Sequence, residues 1–226
     1  MWSAGLKRWF DFTFSFVAIV LLTPLWIPVS IVLFLTGEHD IFYFQKRIGY
    51  KNKPFNIWKH ATMLRKSELL PGGLHTVRND PRVLPFGKFL RKTKINELPQ
   101  LVNILKGDMS FVGPRPLVEK TFLPYPPEVR ERIYNVRPGL TGIGSIIFRD
   151  EERLLSECGV KPEEFYASAI APYKGALELW YQENLSFATD MKIIFLTAWV
   201  IFFPKSTLAF SWFKNLPQRP PFLDSN

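Results

Sequence analysis

The sequence offers few side chains for disulfide bonding or zinc coordination. It contains one cysteine, Cys158, and three histidines among 226 residues. One cysteine excludes an intramolecular disulfide, and neither a pair of thiols nor a histidine cluster has the spacing of a zinc site. A reducing compartment fits this composition best. A chain of this length can bury one hydrophobic core, so we expect one globular unit.

Acidic residues are scarce in one long stretch. Between Lys46 and Lys94 there are thirteen Lys and Arg residues but only two acids, Glu68 and Asp80. Such a stretch suits phosphate ligands, an anionic membrane surface or nucleic acid. Because turn residues interrupt the basic positions and no nucleic-acid fold signature is present, we expect no nucleic-acid partner.

Charge is missing altogether from Phe12 to Leu35, a run of twenty-four residues. A helix of that length is about 36 Å long, enough to cross a bilayer core of about 30 Å. Pro24 disfavours a straight helix, and basic residues flank both ends, as is typical of cytoplasmic flanks. We predict a re-entrant helix hairpin over residues 1–38, broken at Thr23 and Pro24. A single-pass anchor and a cleaved signal peptide are the alternatives.

A second apolar segment lies near the C terminus. Met191 to Phe203 is apolar except for Lys192, and these thirteen residues are too few to span a bilayer. We predict an amphipathic helix near residues 188–204 that lies in the membrane interface. A buried core helix is the alternative.

A helix is predicted to open at Asn96, a favoured N-cap residue, with Glu97 at the positive end of the helix dipole. An apolar stripe follows, and Gly107 is placed to end the helix. Free backbone N–H groups and the preceding cations could bind a diphosphate. A capped amphipathic helix with a basic approach is the alternative. The preceding cations are Arg91, Lys92 and Lys94.

Two arginines lie beside prolines. Arg115 lies between Pro114 and Pro116, and Arg137 precedes Pro138. Proline fixes its own φ and restricts the preceding residue, so both arginines should be presented rigidly. A rigid guanidinium suits bidentate phosphate binding, although a structural salt bridge would use the same rigidity.

Taken in order, these segments resemble the monotopic phosphoglycosyl transferases. These are bacterial sugar transferases that start polysaccharide and glycoconjugate assembly on undecaprenyl phosphate. The match runs over most of the chain. The main matching motifs are Lys7-Arg8-Trp9-Phe10-Asp11, Phe44-Gln45-Lys46-Arg47-Ile48-Gly49, Glu97-Leu98-Pro99-Gln100-Leu101, Gly107-Asp108-Met109-Ser110, Val112-Gly113-Pro114-Arg115-Pro116 and Arg137-Pro138-Gly139-Leu140-Thr141-Gly142.

The resemblance implies a mixed α/β fold that is mainly helical. Residues 1–38 would form the re-entrant membrane hairpin, and residues 39–226 a compact catalytic domain with interfacial amphipathic helices. The domain would contact membrane lipids at the cytoplasmic face of the bacterial inner membrane.

The implied reaction has two steps and uses Mg²⁺. A carboxylate attacks the phosphate of a UDP-sugar and releases UMP, and the phosphosugar then passes to undecaprenyl phosphate. Phosphoryl transfer needs a positioned nucleophile and cations at the developing charge. The residues expected to bind substrate or phosphate are Arg47, Lys59, Arg91, Lys92, Arg115, Arg137 and Thr141.

The sequence departs from the family at the nucleophile, where Asn96-Glu97 replaces the usual Asp-Glu pair. A neutral amide is a poor nucleophile. Glu97 is therefore expected to bind Mg²⁺, to act as the nucleophile, or both, with Asn96 beside it at the catalytic position. Asp150 and Glu151 are unusual acids that could compensate, and the lipid phosphate could also attack directly.

The loss of the usual Asp leaves a second functional hypothesis. The protein would then be a catalytically silent, membrane-bound homologue that binds a nucleotide sugar or a partner enzyme. The sequence indicates neither the sugar, nor the pathway, nor the oligomeric state.

Overall fold

The structure is a computed structural model that describes residues 2–67, 80–204 and 206–223. The sequence also favours a turn at the Gly72-Gly73 pair, which lies outside these residues. The described chain has the mainly helical, mixed α/β fold that the sequence predicts. The helices are α1 (Ala4–Leu35), α2 (Pro85–Lys92), α3 (Gln100–Lys106), α4 (Glu119–Phe122), α5 (Pro127–Arg132), α6 (Ile143–Ile147), α7 (Glu151–Glu157), α8 (Pro162–Phe165), α9 (Ala171–Glu183), α10 (Phe187–Phe202) and α11 (Leu208–Trp212). The strands are β1 (Phe42–Ile48), β2 (Pro54–His60), β3 (Ser110–Val112) and β4 (Gly139–Thr141).

Helix α1 has 32 residues and is long and apolar enough to cross a membrane. It continues through Thr23 and Pro24, so the break expected there does not interrupt the helix. The helix contains two prolines, Pro24 and Pro28, and each removes only one backbone donor. The Thr23 hydroxyl adds a bond to the Ile19 carbonyl at 2.8 Å. The helix lies within the predicted segment 1–38, and the domain division at residue 38 stays a prediction.

The first turns of α1 are bound to the rest of the fold by polar contacts. The Arg8 guanidinium donates to the carbonyls of Ile104 and Leu105, both at 2.6 Å. These carbonyls lie in the last turn of α3, where a cation also interacts favourably with the helix dipole. Asp11 is buried and accepts from the hydroxyl of Ser110 at 3.1 Å.

The remainder of α1 packs along the same domain through apolar side chains. Leu22 and Trp26 pack against a cluster built on Leu101 of α3. Near the helix end, Leu33 packs with Leu90 of α2. The domain therefore contacts α1 along most of its length, while the opposite apolar face of the helix is exposed.

Two small sheets frame the polar middle of the chain. Strands β1 and β2 pair antiparallel over seven residues each, with Phe42 opposite His60 and Ile48 opposite Pro54. Strands β3 and β4 pair in parallel. A Cβ atom at Gly139 would lie 2.1 Å from the backbone nitrogen of Gly113, so only glycine allows this approach.

The helix predicted at Asn96 begins later, at Gln100. Residues 95–97 instead form a 3₁₀ turn. Pro99 has no N–H to donate to the Ile95 carbonyl, which accepts from Leu98 in a tighter turn. Asn96 is therefore not the N-cap, and that prediction is wrong. Gly107 does end α3, with φ 93°, as predicted.

Helix α10 has sixteen residues and two different faces. Ile193, Leu196 and Val200 are buried in the main core. Phe195 and Phe202 lie on the exposed side. The helix thus forms part of the core, as the alternative reading of this segment expects, and also presents an apolar face to the surroundings.

Candidate active site

A cavity of about 1040 Å³ opens between the β1–β2 hairpin, α2, the 95–97 turn, α7 and α10. It brings together nearly all of the residues that the sequence singles out for chemistry. Those that line it are Arg47, Lys59, Arg91, Lys92, Asn96, Glu97, Arg115, Thr141, Asp150 and Glu151.

Glu97 is the acid at the centre of a cationic cluster. Its Oε1 lies 3.3 Å from Nη2 of Arg115 and 4.0 Å from Nζ of Lys59. Burial raises the pKa of the Glu97 carboxyl, but the neighbouring cations outweigh burial and lower that pKa to about 2. Glu97 is therefore ionised at neutral pH, and its charge is shared among several cations.

Two of the cations around Glu97 have lowered pKa values. Burial, only partly offset by Glu97, lowers the pKa of Lys59 to about 7. Burial and the nearby charge of Arg115 lower the pKa of Arg47 to about 10. Because these cations repel one another, a phosphate entering the cavity would relieve the repulsion.

Hydrogen bonds from a buried tyrosine fix the backbone at Arg115. The Tyr134 hydroxyl donates to the Arg115 carbonyl at 2.8 Å and accepts from the Leu117 N–H at 2.9 Å. Tyr134 is itself fully buried in the main core. The flanking prolines predict a rigid Arg115, and the buried tyrosine is a second cause that sequence reasoning missed.

Asn96 carries a buried amide oxygen whose bonding is incomplete. Its side-chain Oδ1 is buried and has no hydrogen-bond partner among the described residues. A buried polar atom without a partner is costly, and such atoms in native proteins often mark the place of a ligand or ion. Asn96 lines the cavity, next in sequence to Glu97.

Two of the predicted phosphate ligands are placed differently from the others. Arg137 does not line the cavity; its Nε donates to the Gly107 carbonyl at 2.9 Å, and its guanidinium lies over the ring of Tyr50. Thr141 does line the cavity, where its hydroxyl bonds that of Thr197 in α10 at 2.6 Å.

The acids at the start of α7 differ in their surroundings. The side chain of Asp150 is 57% exposed and binds Arg153, the next turn of the same helix. The side chain of Glu151 is only 25% exposed and forms a close ion pair with Lys174 of α9. The structure therefore separates two acids that the sequence could not tell apart.

Lys174 is the site residue that sequence reasoning missed. It is almost fully buried, lines the cavity and lies over the ring of Phe148. Burial alone would lower the pKa of Lys174, but Glu151 and Tyr166 together outweigh burial and the pKa is raised. In the sequence, Lys174 stands out only as a lysine within a largely apolar helix. Its partner Glu151 lies 23 positions earlier.

Comparison with known proteins shows the family to which the chain belongs. The family model described as "Bacterial sugar transferase" matches residues 2–204. The chain belongs to the bacterial sugar transferase family. The family and the enzyme class expected from the sequence, phosphoglycosyl transferase, are thereby confirmed.

Three curated relatives show what this transferase is similar to. The chain is 35% identical to "Uncharacterized sugar transferase EpsL" of Bacillus subtilis, covering 85% of each chain. It is 33% identical to "Undecaprenyl-phosphate glucose phosphotransferase" of Komagataeibacter xylinus, covering 87% of this chain but 36% of that relative. It is 32% identical to "Undecaprenyl-phosphate galactose phosphotransferase" of Salmonella typhimurium, covering 88% of this chain and 41% of that relative. The chain thus spans well under half the length of these two named phosphotransferases.

Proposed function

We propose that this protein transfers a phosphosugar from a UDP-sugar to undecaprenyl phosphate and so initiates polysaccharide or glycoconjugate assembly. The observation that carries the proposal is the partly buried cationic cluster around Glu97 in the cavity. A nucleoside diphosphate sugar brings two phosphates, and positioned cations stabilise the charge that develops during phosphoryl transfer. The relatives named as undecaprenyl-phosphate phosphotransferases support the same reaction.

The cavity also has an apolar wall suited to a lipid acceptor. Ile194, Val200 and Ile201 of α10 line it beside the charged centre. A polyprenyl phosphate has a charged head and a hydrocarbon tail, so it matches a cavity with one charged and one apolar wall. We place the acceptor phosphate near Arg115 and the first isoprene units along α10.

We propose that both ends of α1 lie at the cytoplasmic face of the inner membrane. A straight span would separate the two ends by the hydrocarbon core of about 30 Å. The same domain, however, contacts Arg8 near the start of α1 and Leu33 near its end. The exposed apolar faces of α1 and α10 would then rest in lipid, with α10 as the interfacial helix.

The residues at the site fit Mg²⁺ as a substrate-associated ion. Among the residues that the structure describes, no group of three His, Cys, Asp or Glu side chains could hold a metal alone. Mg²⁺ is usually bound by one or two protein oxygens together with substrate phosphates. The unpartnered Oδ1 of Asn96 and the carboxylate of Glu97 are such oxygens. The ion would neutralise phosphate charge, while the chain's cations orient the donor.

The test is UMP release from a panel of UDP-sugars by the full chain in detergent or nanodiscs. Turnover should require undecaprenyl phosphate and Mg²⁺, and should stop when EDTA is added. Binding of a UDP-sugar without UMP release under any of these conditions would contradict the proposal. That result would favour the silent binding homologue.

Cysteine labelling tests the membrane arrangement separately. Residues introduced near Ser3 and Lys51 should both be labelled from the cytoplasm only. Labelling of the Ser3 position from the periplasm would show a single span.

A further inference from the structure

We propose that Glu151 is the nucleophile of this reaction, in the place that the amide of Asn96 cannot take. The inference rests on the proposed transfer from a UDP-sugar. It is drawn from three features of the cavity: the position of Glu151 on its wall, the buried cation that holds it, and the occupation of the other central acid, Glu97.

Glu151 is presented to the cavity by a fixed partner. The Lys174 ammonium is nearly fully buried and binds Oε2 of Glu151. Lys174 is packed over the Phe148 ring at 5.3 Å, so the position of its charge is constrained by the core. The Glu151 carboxylate is therefore held in place by one buried ammonium while its partly exposed side faces the cavity.

The two carboxylates and Arg115 line the same cavity. Oε1 of Glu97 lies 3.3 Å from Nη2 of Arg115, and Glu151 lies on the wall of that cavity. The positive charge of Arg115 attracts a substrate phosphate into this space. A sugar-bearing phosphorus bound at Arg115 would lie in the cavity that Glu151 also lines.

Glu97 is the weaker candidate for attack on phosphorus. Its Oε1 lies 3.3 Å from Nη2 of Arg115 and 4.0 Å from Nζ of Lys59, whereas Glu151 binds one cation, Lys174. A carboxylate whose charge is already shared with Arg115 and Lys59 is better suited to bind an ion or to organise those cations. Glu97 thus organises the neighbouring cations or binds an ion, and it does not attack phosphorus.

The neighbouring acids on α7 are also weaker candidates. Asp150 is turned to Arg153, and Glu152 binds Arg91 with half of its side chain exposed. Neither is paired with a buried cation. Among the three consecutive acids, Glu151 alone combines a buried partner with a position on the cavity wall.

The covalent step balances with the two substrates already named. One oxygen of Glu151 attacks the sugar-bearing phosphorus and forms a P–O bond. The bond from that phosphorus to the bridging oxygen breaks, and UMP leaves with the electron pair. A phosphate oxygen of undecaprenyl phosphate then attacks the same phosphorus, the bond to Glu151 breaks, and the carboxylate is restored.

The experiment uses the full chain with a UDP-sugar that supports turnover, first without acceptor. The wild type should release about one UMP per enzyme, and peptide mass spectrometry should find the phosphosugar on Glu151. E151Q should lose both the burst and at least about a thousandfold in turnover, as expected for loss of a nucleophile. E151D should retain part of the activity and carry the adduct at the same position.

The matched control is E157Q. Glu157 is an exposed acid in the same helix that binds Arg153, and it does not line the cavity. E157Q should keep both the burst and the turnover of the wild type. E151Q leaves the buried Lys174 ammonium without its counter-ion, so the unfolding midpoint should fall. UMP binding by E151Q that is still folded at the assay temperature should be unchanged, which separates loss of chemistry from loss of fold.

Three results would overturn the assignment while leaving the proposed function intact. They are an adduct on Glu97 or Asp150, turnover of folded E151Q within tenfold of the wild type, and wild-type turnover without any burst. The last would indicate direct attack by the lipid phosphate. If no UDP-sugar is turned over at all, the proposed function itself fails, and the nucleophile assignment fails with it.

Discussion

Replacement of Arg115 by alanine tests the cationic cluster without disturbing the fold that carries it. The backbone at Arg115 is held by the buried Tyr134 hydroxyl, and that bond does not involve the guanidinium. Arg115→Ala should therefore fold. Loss of one charge-assisted contact costs about 1.5 to 3 kcal/mol, which corresponds to roughly ten- to a hundredfold in kcat/KM.

The assay is steady-state UMP release, with thermal unfolding measured on the same preparations. Arg115→Lys should recover only part of the loss, because an ammonium cannot reproduce a bidentate contact. Arg132→Ala is the matched control, since Arg132 is half exposed and pairs with Glu183 on the surface. Unchanged kcat/KM in folded Arg115→Ala would refute the reasoning that this guanidinium contacts a substrate phosphate.

Three further predictions concern other parts of the molecule. Arg8→Ala should lower the free energy of unfolding by about 2 to 3 kcal/mol, because two short charge-assisted bonds to α3 are lost; thermal unfolding in detergent measures this, and an unchanged midpoint would contradict it. Asn96→Asp should preserve or raise turnover, because a carboxylate would replace an unpartnered amide oxygen near several cations; a loss of UMP release above tenfold would count against this. Burial raises the pKa of Glu178 in α9 to about 8. The folded chain therefore keeps a proton that the unfolded chain loses above about pH 4.5. As a result, the free energy of unfolding should fall between about pH 5 and 8 by an amount on the order of a few kcal/mol. Glu178→Gln should flatten this dependence in unfolding curves recorded at several pH values, and an equally steep curve would refute the cause.

The sequence predicted those site features that depend on local chemistry. Gly107 ends α3 because the left-handed conformation there suits glycine. That helix end can be predicted from one residue of the sequence. Arg115 is rigid partly because two prolines flank it. The motif around Glu97 does lie in a cluster of cations on the cavity wall, although its helix begins four residues later than predicted.

What the sequence could not predict depends on contacts between distant segments. The choice between Asp150 and Glu151 is made by Lys174, which lies on another helix. Arg137 has the same Arg-Pro pattern as Arg115, yet it contacts Gly107 because of where β4 enters the fold. Neither outcome is contained in local spacing.

The contacts of α1 also set an order of events during synthesis. Lys7 binds Asp190, which is 183 positions later in the chain. At roughly 5–20 residues per second, Asp190 is added about ten to forty seconds after Lys7. During most of that interval the apolar helix has left the ribosome, but its partner Asp190 does not yet exist. In the proposed membrane arrangement, α1 would enter lipid before Asp190 is made, and the last helices of the chain would complete the fold against a helix already in lipid.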